Sequence, residues 1–209
     1  MVFSSLIFIF RFLPIFLIVY FFTPKNFKNL TLLIFSLLFY SFGEPKYFIL
    51  MIASILVDYF VSIAIENNFN NKSKCRLLLA ISIFFNMGML FFFKYFNFFI
   101  DNINLIFSTS FKELSLTLPL GISFYTFQTL SYTIDVYTGK IKAERNIIDF
   151  GAFVSSFPQL IAGPIVKYTD INKEIKNRKF SFDNIEVGLE EFVIGLSKKV
   201  LIANNIGML

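Results

Sequence analysis

Between Leu118 and Tyr137, the residues Gly121, Tyr125, Gln128, Tyr132 and Asp135 recur at intervals of three and four. That spacing sets them on one helical face, with Ser131 beside them. An amide, two phenols and a carboxyl on an otherwise apolar helix must meet protein or water. They can hydrogen-bond a neighbouring helix, or line a cavity in which a substrate's polar groups are handled. The spacing leaves both uses open. Arg11 and Asp58 also fall inside apolar runs. A charge facing lipid is costly, so each is a candidate for function, and the two could pair with one another. Glu66 and Lys94 lie near run ends, from which a long side chain reaches the interface.

The chain contains no histidine and one cysteine, Cys75. The first absence removes the commonest general base and a common metal ligand. The second leaves neither an internal disulfide nor a Cys-x-x-Cys metal site, so no metal and no tightly held cofactor is expected.

The elements that position these groups are apolar. Of 209 residues, 56% are hydrophobic and 20% aromatic, 32 of them Phe, and the mean hydropathy is +0.69. Runs of spanning or near-spanning length cover residues 2–22, 30–42, 47–65, 77–99, 118–137 and 147–166. In lipid, backbone polar groups must be paired within the segment, which predicts helices and an all-α, multi-pass membrane protein forming one transmembrane domain. The first run lacks a basic start and a small-residue cleavage site, so it reads as a retained helix. The second is short for an upright crossing and must extend into its flanks or meet a thinned bilayer.

The sixth run ends in FPQLIAGPI, where Pro158 and Pro164 enclose Gln159 and Gly163. Each proline removes a backbone donor and clashes with the preceding turn, so the helix should break or kink here. Loop charge bears on which. If every run crosses once, eight Lys and Arg fall on one side and seven on the other. If the sixth run turns back at its Pro and Gly positions, the cluster Lys167, Lys173, Lys176, Arg178 and Lys179 changes sides, giving thirteen against two. The positive-inside rule then puts the amino terminus outside and the basic loops in the cytoplasm. Those cations fill short gaps between apolar runs and form no aromatic-laced patch, so no nucleic-acid partner is expected.

Residues 183–199 read as an amphipathic helix on the membrane surface. Asp183 is a possible cap, glutamates lie early and Lys198 and Lys199 late, and Ile185, Leu189, Phe192, Leu196 and Val200 share one face. A further membrane segment is expected to begin at Val200 and to run on to Leu209.

Several stretches together resemble the membrane-bound O-acyltransferase family, in the bacterial branch that includes alginate O-acetyltransferase and the teichoic-acid D-alanyl transfer protein. They are MVFSSLIFIFRFLPIF, LLIFSLLFYSFGEPKYF with the following VDYF, KYFNFF, LPLGISFYTFQTLSYTIDVYTG, FVSSFPQLIAGPIVKY and GLEEFVIGLSKKVLIAN. Thr138 and Asn204 depart from the family's usual residues. The resemblance implies a ring of tilted helices around a tunnel through a thinned membrane. It implies transfer of an acyl group, acetyl being expected, from a cytoplasmic thioester such as acetyl-CoA or an acyl carrier to an exported polysaccharide or an extracytoplasmic partner protein. Gln128, Ser131, Tyr132, Asp135 and Gln159 become tunnel candidates, and Pro158, Gly163 and Pro164 mark the broken segment. The family's catalytic histidine lies in a later half, so it is expected downstream of Leu209, and none of these residues is expected to be catalytic. The stretch is then an amino-terminal portion, inactive alone. A transporter subunit and an inactive fragment are the competing expectations. The transporter reading calls for a second interrupted segment, and the sequence shows only the one at FPQLIAGPI, which counts against it.

Overall fold

A computed structural model describes residues 5–160, 166–176, 178 and 181–207, and among these every regular element is helical. A π-helical turn at Phe8–Phe12 continues without a break into α1, Leu13–Phe22, with Pro14, which has no N–H to donate, just after the π turn. Then come α2 (Lys28–Gly43), α3 (Phe48–Asn67), α4 (Lys72–Phe107) and α5 (Ile122–Tyr137). The short second run does extend into its flanks, to 16 residues.

The fourth run is much longer than its apolar stretch. At 36 residues, α4 is about 54 Å long at roughly 1.5 Å per residue, well beyond a bilayer core of about 30 Å. The connector expected from Asn102 begins only at Ser108, whose φ of 52° ends the helix. Conversely, the fifth run becomes helical at Ile122 and not at Leu118, because Gly121 takes a φ of 71°.

Helices α3, α4 and α5 pack together around Met51, Ile55, Tyr125, Tyr132 and Phe150, and α2 packs on α6 (Ile147–Ser155). A second cluster joins Phe8, Phe16, Phe39 and Phe157. The outer faces are apolar as well, with Phe84 and Leu105 both 82% exposed. Two helices, α3 and α4, are long and apolar enough to cross a bilayer. With apolar residues both inside and outside, this is a membrane protein.

The sixth run is interrupted two residues before Pro158. Helix α6 stops at Ser156 (φ −44°, ψ 106°), and the four-residue α7, Phe157–Leu160, carries Pro158 in its first turn. A continuous helix would drive the Pro158 ring into the carbonyl of Val154, so the break falls upstream of the proline. Gly163 and Pro164 lie outside the described residues. The polar stretch after the run, expected to be a connector, contains α8, Tyr168–Lys176. Its buried Tyr168 and Ile175, seven residues apart, share a face.

Helix α9, Phe182–Ser197, covers most of residues 183–199, but its cap is Ser181, whose Oγ accepts from Asn184 N–H, and not Asp183. Only Phe192 of its expected apolar face packs on the second cluster; Ile185 and Leu189 stay exposed. The segment expected from Val200 continues α9 without a break, through a π-helical stretch at Lys198–Ala203 and a last turn at Asn204–Ile206. Leu209, the point beyond which the histidine is expected, lies outside the described residues.

Candidate functional site: a reversing segment against a polar helix

The interrupted segment touches α5 on both sides of its break. Phe150, before the break, stacks 4.6 Å from the Tyr132 ring, and Tyr168, after it, lies 5.1 Å from the same ring. Between them Leu160 reaches Gly121, its carbonyl oxygen 3.1 Å from where a Cβ would stand. Gly121 and Tyr132 are eleven residues apart, about 16 Å along the helix. The turn is pinned by its aromatic residue: Phe157 N–H donates to Ser36 Oγ (3.2 Å), and its ring centroid lies 5.0 to 6.1 Å from those of Phe8, Phe12, Phe16 and Phe39.

The ends of the segment meet a polar clasp. Glu144 Oε2 accepts from the Tyr168 hydroxyl (2.6 Å) and pairs with Lys176 Nζ (2.7 Å), while Oε1 accepts from Asn146 N–H (2.9 Å). Asn29 of α2 donates to Asp149 (2.7 Å) and to the Ile175 carbonyl (3.1 Å). Burial alone would push the Glu144 carboxyl up; the Lys176 and Tyr168 donors outweigh it and hold the group below the usual glutamate value. Burial and the neighbouring Glu144 push the Tyr168 phenol up.

The stripe on α5 mostly ties elements together. Gln128 donates to the Phe153 carbonyl of α6 (3.0 Å), and Ser131 donates back to the Gln128 carbonyl (2.9 Å). The Tyr132 hydroxyl accepts from Glu144 N–H (2.7 Å), and Asp135 pairs with Lys140 (3.1 Å). Gln159 differs: its Nε2 is buried and has no hydrogen-bond partner. Pro158 is exposed.

Asp58 does not pair with Arg11. Its carboxylate, fully buried, accepts from Ser82, from Asn86 Nδ2 (2.8 Å) and from Thr133 (3.1 Å), and Thr129 donates to Asn86 Oδ1 (3.3 Å). Those neutral donors join α3, α4 and α5, whereas Arg11 lies exposed on the outer side of the π-helical turn. Glu66, expected to reach the interface from its run end, pairs with Arg145 (2.7 Å).

Sequence reasoning missed Ser82, Asn86, Thr129 and Thr133. Their signal was present: Ser82 and Asn86 stand four apart on α4, and Thr126, Thr129 and Thr133 three and four apart on α5. Helix α5 thus carries two polar faces, one toward Asp58 and one toward the reversing segment.

Comparison with curated proteins gives this arrangement a context. The chain is 38% identical over 212 residues to the "Probable alginate O-acetylase AlgI" of Pseudomonas syringae pv. tomato, covering 100% of the chain and 41% of the relative. It is 38% identical to the protein of that name from Pseudomonas aeruginosa, over 100% of the chain and 41% of the relative. The "Peptidoglycan O-acetyltransferase" of Helicobacter pylori is 38% identical over 98% of the chain and 45% of its own length. The chain is a homologue of these bacterial O-acetylases. The likeness covers the polar helix, the clasp and the reversing segment alike, and it agrees with the resemblance to the membrane-bound O-acyltransferases carried by the motifs. The chain spans less than half the length of the relatives it matches. No family model and no solved structure matches it.

Proposed function

We propose that this chain provides the scaffold and channel wall of a membrane O-acetyltransferase. The enzyme takes an acetyl group from a cytoplasmic thioester, such as acetyl-CoA or an acylated carrier, and delivers it to a hydroxyl of an exported polysaccharide or an extracytoplasmic partner protein. The observation that carries this reading is the alignment of the whole chain with relatives named for O-acetylating alginate and peptidoglycan. In the reaction the acyl carbon leaves sulfur and bonds the acceptor oxygen, and the hydroxyl proton passes through a base to the departing thiolate. By family resemblance that base is a histidine. Residues Met1 to Leu209 contain none, and the relatives' greater length leaves room for it downstream.

The protein lies in the cytoplasmic membrane with its amino terminus outside and its basic loops in the cytoplasm. Support comes from the clasp, in which Lys176, beyond the reversing segment, pairs with Glu144, before it, so that the basic cluster and the 138–146 loop share one end of the bundle.

The test uses the protein at its full natural length in proteoliposomes, with radiolabelled acetyl-CoA and alginate or peptidoglycan fragments offered in turn. Alkali-labile acetyl on one glycan is expected. No label above protein-free vesicles with either glycan overturns the reading.

A further inference from the structure

Three cations gather where α1 meets α2, and one of them comes from beyond the reversing segment. Lys28 Nζ lies 4.8 Å from the centre of the Tyr20 ring, and the Arg178 guanidinium carbon lies 5.6 Å from it. Arg178 also donates to the Tyr20 hydroxyl, 158 residues away along the chain. A ring attracts a cation, but two cations on one ring repel each other. Lys25 adds a third charge: the 3₁₀ turn Lys25–Phe27 leads directly into Lys28, whose N–H donates to the Lys25 carbonyl. Burial, then Arg178 and Lys25, push the Lys28 amine below its usual value, so both neighbouring cations are close enough to act on it.

Elsewhere at this end of the bundle carboxylates neutralise the cations. Lys140 pairs with Asp135, Arg145 with Glu66 and Lys176 with Glu144. Among the described residues neither Lys25 nor Arg178 forms an ion pair, and Asp149 is taken by the Asn29 amide (2.7 Å). A group of like charges held together in this way favours an anion from outside the chain. The apolar neighbours decide which kind. Ile18, Phe22 and Phe27 adjoin the cations, and all are more than half exposed. In a membrane protein such side chains meet acyl tails. A ligand that suits both surfaces carries a phosphate on hydrocarbon chains.

We propose that Tyr20, Lys25, Lys28 and Arg178 bind the phosphate headgroup of an anionic phospholipid at the membrane face that carries the basic loops. Basic pockets between membrane helices suit such headgroups. Arg178 stands two residues beyond Lys176, which closes the clasp on Glu144. The bound headgroup therefore ties the stretch after the break to α1 and α2.

The experiment uses the protein at its full natural length in detergent, titrated with phosphatidylglycerol or phosphatidylcholine while bound lipid is counted by native mass spectrometry. One phosphatidylglycerol is expected to bind ahead of the rest, and phosphatidylcholine far more weakly. Each cation should account for about a fivefold factor in affinity, so Lys28→Gln combined with Arg178→Gln should weaken that first lipid about twentyfold. Tyr20→Phe, which removes the hydroxyl that holds Arg178 and changes no charge, should weaken it as well. Lys173→Gln, the loss of an exposed cation on α8, should not. Equal weakening by Lys173→Gln, or undiminished binding in the double variant, reduces the effect to bulk surface charge and overturns the site. Displacement of the lipid by excess inorganic phosphate would make the ligand a soluble phosphate and overturn the lipid. Should the double variant fail to fold, a native protein that takes phosphatidylcholine as readily as phosphatidylglycerol decides against the site. None of these outcomes depends on acetyl transfer, so the transferase reading stands or falls separately.

Discussion

Lys176 Nζ lies 2.7 Å from Glu144 Oε2, joining a residue beyond the reversing segment to one before it. The same carboxylate oxygen accepts from Tyr168. One glutamate therefore closes the hairpin made by α6, α7 and the return to α8. Because its folded-state pKa is lowered, Glu144 contributes stability above the unfolded value of about 4.3 and loses it as pH falls through the folded value. Accordingly, amide hydrogen exchange at Ile175, corrected for its intrinsic pH dependence, should speed up as pH falls through the lowered Glu144 value. Glu144→Gln should remove that pH dependence and leave the amide more open to exchange at neutral pH.

Topology can be read by labelling. Lys173 and Lys112 are exposed or partly so, whereas the natural Cys75 is buried. In intact cells an impermeant maleimide should label Lys112→Cys and spare Lys173→Cys until the membrane is opened. Labelling of Lys173→Cys from outside would place the clasp on the wrong face.

The Asp58 carboxylate gathers three donors from two other helices. At about 0.6 kcal/mol for each interhelical bond, Asp58→Ala should cost about 2 kcal/mol in reversible unfolding in detergent. Arg11→Gln should leave that stability unchanged, since no ion pair links Arg11 to Asp58 among the described residues.

Gly121 combines a φ of 71° with the Leu160 carbonyl 3.1 Å from a would-be Cβ. Alanine there meets the left-handed penalty of about 1–2 kcal/mol and pushes α7 away from α5. Gly121→Ala should therefore lower the melting temperature. Gly188→Ala, where a Cβ meets nothing within 4 Å, should not.

Phe157 is surrounded by four other phenylalanine rings. Truncation to alanine should cost about 3–5 kcal/mol and free the reversing segment, read as faster proteolysis between α6 and α8.

Much of this protein was legible along the chain. Composition required helices in lipid, since no other local structure pairs its own backbone there, and periodicity marked a polar face on α5 and a break near Pro158. Periodicity names a face but not its neighbour. Asp58, Ser82, Asn86 and Thr133 span 75 residues of sequence, and only packing of α3, α4 and α5 brings them together. The same limit made Arg11 a reasonable partner for Asp58, which the arrangement of helices forbids. Helix ends were also decided outside the apolar pattern: α4 continues past its last apolar run because polar residues are tolerated in a helix once exposed, and α5 starts late because Gly121 turns left-handed. The sequence by itself determined which segments are apolar and helical and where one must break. Tertiary structure decided that the broken segment doubles back, because reversal depends on contacts such as Glu144 with Lys176 and Gly121 with Leu160, whose partners are too far apart along the chain for local propensity to encode.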